Sequence, residues 1–328
     1  MSEKRERLKL SRWLDKIISN NFPHKEDLVD IVETIAEATL PIRGLLERGI
    51  TSREIEQRMN IIQPKQDSKN IYDEKQIHED LLTNSIILKT LQEADTDLAF
   101  IASEESAPIL GNGVFGITTD PVDGSSNVAV NRTVGTIVGI FNENGKIICG
   151  FYVLYGVFTN LIIAIDGKVA EFILDTVPYS TTFYHYVLHS NISMPDKEEG
   201  GIRCLGGDPT MWSQKFKAYE KTLIERHTKD RYSGSFVGDF HAITHYGGVY
   251  AYFPSPKGKI RLYYEWLPLA FIAKTLGGEF FIIGEGVNLD NIKTIEEIQP
   301  LTKHNIEKIH MTTCGGIIGS RKFVNLFL

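Results

Sequence analysis

The stretch Ile117-Thr-Thr-Asp-Pro-Val-Asp-Gly-Ser-Ser-Asn127 sets two carboxylates, Asp120 and Asp123, directly before a Gly-Ser-Ser turn. Glu104 and Glu105 stand a short loop upstream. A strand that ends in carboxylates and turns into free backbone N–H groups can hold a hard cation and a phosphate within a few ångströms of each other. Hydrolysis of a phosphate ester needs that combination. Asp-Pro-x-Asp-Gly by itself is also a common turn, so its surroundings decide. Val114 to Thr119 reads as a buried strand delivering Asp120 to its end. Gly124-Ser125-Ser126 could open a helix whose N–H groups face an anion. Adjacent acids at a core edge repel each other unless a cation offsets them. Glu265 is the third component, in the apolar segment Arg261-Leu-Tyr-Tyr-Glu-Trp-Leu-Pro-Leu-Ala270, where an unpaired carboxylate is costly. Two readings stand level for Glu265: a buried ion pair with Arg261, or metal ligation beside the other acids.

The elements that must position these residues follow from periodicity. Trp13, Ile17 and Ile18 form one apolar stripe, and Leu28, Ile31, Val32 and Ile35 another at helical spacing. Asn60 to Asn70 is polar, contains Pro64 and reads as a loop. A third helix is expected from about Ile77 to Glu93, with Asp80 in its first turns. From Leu98 the pattern turns to β-rich runs: Ala99–Ala102, Val114–Thr119, Val134–Phe141, Ile147–Leu154 and Leu161–Ile165. Asn142 to Gly145 and Asp166-Gly167 read as hairpin turns. The charged, Gly-rich stretch Met194 to Gly201 reads as a boundary, giving subdomains 1–195 and 196–328. Beyond it come helices near Trp212–Arg226, Gly238–His245 and Pro268–Thr275, and strands Val249–Phe253 and Glu279–Ile283. This order predicts layered α/β sheets.

At 328 residues the chain exceeds the size of a usual single core. A net charge of −7 argues against a nucleic-acid partner. No apolar run approaches the length of a membrane span, and no signal core follows the charged N-terminus. Three widely spaced cysteines, Cys149, Cys204 and Cys314, suit a reducing compartment, so a cytoplasmic location is expected.

In this order, Ala102-Ser-Glu-Glu105, Asp120-Pro-Val-Asp-Gly-Ser-Ser-Asn127, Val134-Gly-Thr-Ile137, Arg231-Tyr232, Tyr246-Gly-Gly248 and Gly258-Lys-Ile-Arg-Leu-Tyr-Tyr-Glu265 resemble the fructose-1,6-bisphosphatase family. That family includes the related sedoheptulose-1,7-bisphosphatases. The resemblance runs from about Asp73 onward and implies the layered α-β-α-β-α sugar-phosphatase fold. It also implies metal-dependent hydrolysis of the 1-phosphate of a sugar bisphosphate, with two or three Mg²⁺ or Mn²⁺ ions in a homodimer or homotetramer. Glu104, Asp120, Asp123 and Glu265 match the family's metal-binding carboxylates, and Val122 the position that offers a carbonyl. Glu105 and Asp80 match acids that activate and orient the attacking water, and Glu74 falls where the family usually has aspartate. Gly124 and Ser125 match the backbone cradle of the departing phosphate, and Ser126 and Asn127 beside them are expected to bind substrate. Tyr232, Tyr252, Lys259 and Arg261 match groups that hold the sugar and its second phosphate, and Arg231 one that reaches into a neighbouring subunit's site.

The chain also departs from the family. Leu205-Gly-Gly-Asp-Pro209 replaces an Asn-Glu-Gly-Tyr-like stretch that binds the distal phosphate, so two phosphate contacts are missing and fructose and sedoheptulose substrates both stay open. The Gly-Thr-Gly-Glu-like segment with which vertebrate relatives bind AMP is absent between Ile31 and Ile50. Among rivals, inositol monophosphatases share the Asp-Pro-x-Asp-Gly element, but Tyr264-Glu-Trp-Leu-Pro268 replaces their Trp-Asp-x-Ala-Ala-Gly signature. A cysteine phosphatase needs Cys-x₅-Arg, and Cys314 to Arg321 holds one residue too many. A non-catalytic sugar-phosphate sensor could lose carboxylates, yet all are present. His241 and His245 share a helical face at the spacing of a zinc pair, but no third ligand stands near them in the sequence, which favours a core or surface role.

Overall fold

The computed structural model describes residues 8–46, 78–94, 96–176, 184–253, 260–284 and 292–328. The reading of Asn60 to Asn70 as a loop lies outside the described residues, as do Glu74 and Lys259. Three helices open the described chain: α1 (Leu10–Ile17), α2 (Lys25–Ala38) and α3 (His78–Glu93). Leu28, Ile31, Val32 and Ile35 are fully buried, so the apolar stripe of α2 faces the core as its spacing requires.

Eight strands follow: β1 (Leu98–Ser103), β2 (Ser106–Leu110), β3 (Phe115–Asp123), β4 (Val134–Phe141), β5 (Ile147–Tyr155), β6 (Thr159–Ile165), β7 (Lys168–Thr176) and β8 (Tyr184–Asn191). They form one sheet in the order β2-β1-β3-β4-β5-β6-β7-β8. Only the β1–β3 pair is parallel; the others are antiparallel. Both predicted turns are present. Gly145 donates to the Asn142 carbonyl at 2.8 Å between β4 and β5, and Asp166 and Gly167 both take positive φ between β6 and β7, as a tight hairpin turn demands.

The second sheet is built from β9 (Ile202–Gly206), β10 (Lys229–Asp230), β11 (Gly248–Tyr252), β12 (Ile260–Arg261), β13 (Glu279–Ile283) and β14 (Thr313–Gly319). Its order is β10-β9-β11-β14-β12, with β13 also paired to β14. Four helices accompany it: α4 (Gln214–Glu225), α5 (Phe236–Tyr246), α6 (Leu267–Thr275) and α7 (Arg321–Asn325). Ser213 caps α4 and Ser235 caps α5, each accepting an N–H from the first turn.

Three apolar cores hold five layers together, the largest of them spanning two interfaces. One joins α1, α2 and α3 to one face of the first sheet through Trp13, Leu28, Ile35, Phe115, Phe151 and Phe172. A second joins the other face to α5, α6 and the second sheet through Tyr152, Phe240, Trp266 and Leu269. The third packs Phe216, Tyr219 and Phe323 of α4 and α7 against Val249, Ala251 and Ile317. The architecture is therefore the expected α-β-α-β-α stack. β3 lies between layers on both faces and all nine of its residues are buried, so its threonines and aspartates are held inside the molecule with the apolar Phe115, Ile117 and Val122.

Candidate active site

Glu104 and Glu105 form the two-residue tip of the hairpin that joins β1 to β2, where Ser103 pairs with Ser106. The Glu104 N–H donates to the Thr119 carbonyl at 3.0 Å, and the Glu105 N–H to Ser103 Oγ at 3.2 Å. The neighbouring strand β3 runs further than its sequence suggests. Asp120 and Asp123 sit inside it, on either side of a register shift against β4. Thr136 of β4 donates to the Pro121 carbonyl at 2.8 Å across that irregularity, and the Val122 N–H donates to Asp120 Oδ1 at 3.0 Å. The bulge re-aims the chain so that both aspartates meet one pocket.

After Asp123 the backbone turns at Gly124 into a 3₁₀ turn, Ser125–Val130. Gly124 has φ +75°, and a Cβ there would lie 2.5 Å from the Cβ of Ser235. Glycine is required both by the conformation and by the close approach of the α5 N-terminus. That helix end grips Asp123: Ser235 Oγ donates to Oδ2 at 2.7 Å, and the Phe236 and Val237 amides donate at 3.3 and 2.8 Å.

Glu265 arrives on a π-helical turn, Leu262–Trp266, that leads into α6. Thr118 of β3 donates to the Tyr263 carbonyl at 2.8 Å and fixes that turn against the strand. Glu265 Oε2 accepts the Arg261 backbone N–H at 2.6 Å. The Arg261 guanidinium lies 3.4 Å from Glu104 Oε1 and 3.0 Å from the His310 carbonyl. Arg261 thus serves both acids: its backbone N–H binds Glu265, and its charge offsets Glu104 and also favours the ionised Glu265, against the larger effect of burial.

Ligand oxygens of Asp120, Asp123 and Glu265 lie within 4.8 Å of one another, and all three residues are buried. Burial, then repulsion from Glu104 and Asp123, pushes the Asp120 carboxyl well above the ordinary range. Burial, then Glu104, does the same to Glu265. Burial also raises Asp123, against the bonds from Ser235 and α5. Three buried oxygen donors that repel one another in this way fit a hard divalent cation, which would relieve both penalties.

A cavity of about 440 Å³ opens over these acids. It brings together Glu104, Glu105, Asp120, Val122, Asp123, Gly124, Ser125, Ser126, Tyr232, Tyr252 and Glu265. The sequence had no signal for four further lining residues, Gly234, Phe236, Tyr250 and Ile260, which reach the cavity through long-range packing. Other candidates are placed differently. Asn127 is buried, and its amide donates to the Thr133 and Ser233 carbonyls, so it pins the loop. Asp80 is buried in the first turn of α3 and is not among the residues lining the cavity. Arg231 is exposed and lines a separate cavity with Lys229 and Asp239. Gly206 is not a vacancy: a Cβ there would meet Tyr252 Cδ2 at 2.6 Å and the Tyr232 hydroxyl at 2.9 Å. Cys314 is buried in β14 with its thiol pushed up by burial, while Arg321 contacts the Gly277 carbonyl. No thiolate–guanidinium pair forms there.

Comparison with known proteins bears on the same residues. Residues 50–185 match the fructose-1,6-bisphosphatase N-terminal domain and residues 197–316 its C-terminal domain. A protein of Methanocorpusculum labreanum named fructose-1,6-bisphosphatase class 1 is 35% identical over 264 residues, covering 77% of this chain and 76% of its own. The chain belongs to the fructose-1,6-bisphosphatase family. A class 1 fructose-1,6-bisphosphatase of Haloarcula marismortui is 27% identical over 88% of this chain and 91% of its own. The crystal structure of Leishmania major fructose-1,6-bisphosphatase in holo form superposes with a TM-score of 0.79 at 25% identity, covering 98% of each chain. The acidic cavity is lined by the residues of the motif order Glu-Glu, Asp-Pro-x-Asp-Gly-Ser-Ser, Glu read from the sequence. Among the described residues no helix is long and apolar enough to cross a membrane.

Proposed function

We infer that the chain is a phosphatase that hydrolyses fructose-1,6-bisphosphate to fructose 6-phosphate and phosphate. The observation that carries this reading is one cavity, in a chain of this family, that joins three buried carboxylates, a Gly-Ser-Ser turn and two tyrosines. Asp120, Asp123 and Glu265, with Glu104 and the Val122 carbonyl, would hold two or three cations. Oxygen-only donors favour Mg²⁺ or Mn²⁺ over zinc. Bound there, the ions would neutralise the phosphate and lower the pKa of an attacking water.

The chain's own groups do the rest. Glu105, on the cavity wall, accepts the proton of the attacking water. Amides of Gly124, Ser125 and Ser126 donate to the phosphoryl oxygens as charge builds on them. Tyr232 and Tyr252 donate to the second phosphate. Burial and the neighbouring Tyr252 push the Tyr232 hydroxyl up to about 12, and burial also raises Tyr252, so both remain donors at neutral pH. Lys259 would add a positive charge, Arg231 would serve a neighbouring subunit of a homodimer or homotetramer, and Arg261 acts through Glu104.

The proposed division at 195/196 is supported by sheet composition, since the first sheet ends at Asn191 and the second begins at Ile202. Three buried free cysteines support the cytoplasmic reading. Phosphate release from fructose-1,6-bisphosphate, measured with added Mg²⁺ and with excess chelator, tests the function. Release is expected with Mg²⁺ and none with chelator; full release in chelator would overturn the metal-assisted reading.

A further inference from the structure

A cluster outside the catalytic cavity completes the histidine pair that the sequence left without a partner. His241 and His245 lie one turn apart on α5, and Glu171 projects from β7 of the first sheet. Ligand atoms of the three lie within 4.8 Å of one another. His245 Nε2 is 3.6 Å from Glu171 Oε1. Tetrahedral zinc with ligands near 2 Å sets neighbouring donors about 3.3 Å apart, so side-chain closure alone would seat an ion.

The surroundings have the form of a metal site's supporting shell. Glu171 is buried, and Asn160 donates to its Oε1 at 2.5 Å while Ser190 donates to Oε2 at 3.4 Å. The Tyr152 hydroxyl stands 3.1 Å from His241 Nδ1 and fixes the ring, leaving Nε2 for a metal. His245 is 37% exposed, which gives the site an entry path and a water-accessible fourth position. Two imidazoles and one carboxylate suit Zn²⁺ better than Mg²⁺, in contrast to the oxygen-only catalytic cavity.

We propose that Glu171, His241 and His245 form a second divalent-cation site, selective for zinc-type ions, that clamps α5 to β7. The opposite end of α5 holds Asp123 through Ser235, Phe236 and Val237. One helix thus carries both sites, and occupancy of the clamp fixes the element that orients Asp123. The inference does not depend on the substrate or on the catalytic reading.

The test uses the full chain, stripped with chelator, dialysed, and titrated with Zn²⁺ by calorimetry in excess Mg²⁺. The wild type is expected to bind one Zn²⁺ tightly. His245→Gln, at an exposed position, should weaken that binding at least 100-fold, and Tyr152→Phe should weaken it about 10- to 100-fold as a supporting-shell change. Zn²⁺ should raise the Tm of the wild type and not that of His245→Gln. Co²⁺ added to the wild type under the same conditions should give the visible absorption of a four-coordinate site. Equal Zn²⁺ affinity in wild type and His245→Gln, or no such Co²⁺ spectrum, would overturn the proposal.

Discussion

At the scale of single residues, the cavity separates groups that hold charge from groups that move protons. Asp120, Asp123 and Glu265 are buried and each accepts at least one backbone N–H, whereas Glu105 sits half-exposed on a hairpin tip. A proton acceptor must exchange with solvent after each turnover; Glu105 combines access with a place on the cavity wall, while Glu104 beside it is engaged by the Arg261 guanidinium. Glu105→Gln is therefore expected to lower kcat by about 10²–10⁴ while leaving KM and Tm close to wild type. An unchanged kcat would remove Glu105 from the mechanism. Asp239 gives a second residue-scale prediction. Burial, with a further push from Asp123, raises its carboxyl to about 7 despite the Ser233 N–H that bonds both oxygens. The folded chain then binds more protons at Asp239 than the unfolded chain between about pH 4 and 7, so this residue costs stability as pH rises through that window. Partly buried His241 and buried His310 are depressed by desolvation to about 4 and about 3 and act in the opposite sense below neutrality. The comparison that isolates Asp239 is the Tm of Asp239→Asn minus that of wild type, in chelator. It should increase from pH 4 to 7 and level off above; a difference independent of pH would show that the carboxyl titrates normally.

At the scale of elements, α5 is the part on which the site depends most. Its N-cap serine satisfies the Gly238 amide at 3.1 Å and binds Asp123 with the same hydroxyl. Ser235→Ala should cost about 1 kcal/mol for the lost cap, read as a lower denaturation midpoint. It also releases one of the three donors that orient Asp123. The Mg²⁺ concentration for half-maximal activity should therefore rise about tenfold, the lower end of the range for lost supporting contacts to a metal ligand. Activity at saturating Mg²⁺ should change less. An unaltered Mg²⁺ dependence would mean that the Phe236 and Val237 amides hold Asp123 unaided. The π-helical turn at Leu262–Trp266 plays the matching role for Glu265. It inserts an extra residue ahead of α6 and swings the carboxylate toward β3, a use to which π turns are often put at functional sites.

At the scale of the whole molecule, the cavity is walled by the first sheet, the α5 N-terminus and the second sheet, so substrate selection depends on how these layers meet. Tyr232 and Tyr252 close over Gly206, and that stretch contributes no side-chain donor of its own at Gly206 or Gly207. With fewer fixed contacts to the distal phosphate, a seven-carbon sugar bisphosphate should be accepted nearly as well as a six-carbon one. The kcat/KM for sedoheptulose-1,7-bisphosphate is expected within about tenfold of that for fructose-1,6-bisphosphate, a gap of about 1.4 kcal/mol. A thousandfold difference, about 4 kcal/mol, would show that the tyrosine wall is itself selective.

The sequence by itself determined what depends on neighbouring residues. The helix from about Ile77 to Glu93, the β4–β5 and β6–β7 turns and the strand Glu279–Ile283 were legible, because periodicity and turn chemistry act over a few residues. The order of the acids along the chain was legible too, and with it the family. The strands β2, β7, β8 and β9 were not, since short runs such as Ser106–Leu110 and Ile202–Gly206 gain their stability from partners distant in sequence. Tertiary structure alone decided that β3 continues through Asp123 with a bulge, that Arg261 turns to Glu104 across 157 positions, and that Asn127 holds a loop. It also brought Glu171 to the two histidines of α5. A local sequence pattern fixes which side chains a segment presents, but register and layer packing fix which of them share a pocket, and those are settled by burial and hydrogen bonding between segments far apart in the chain.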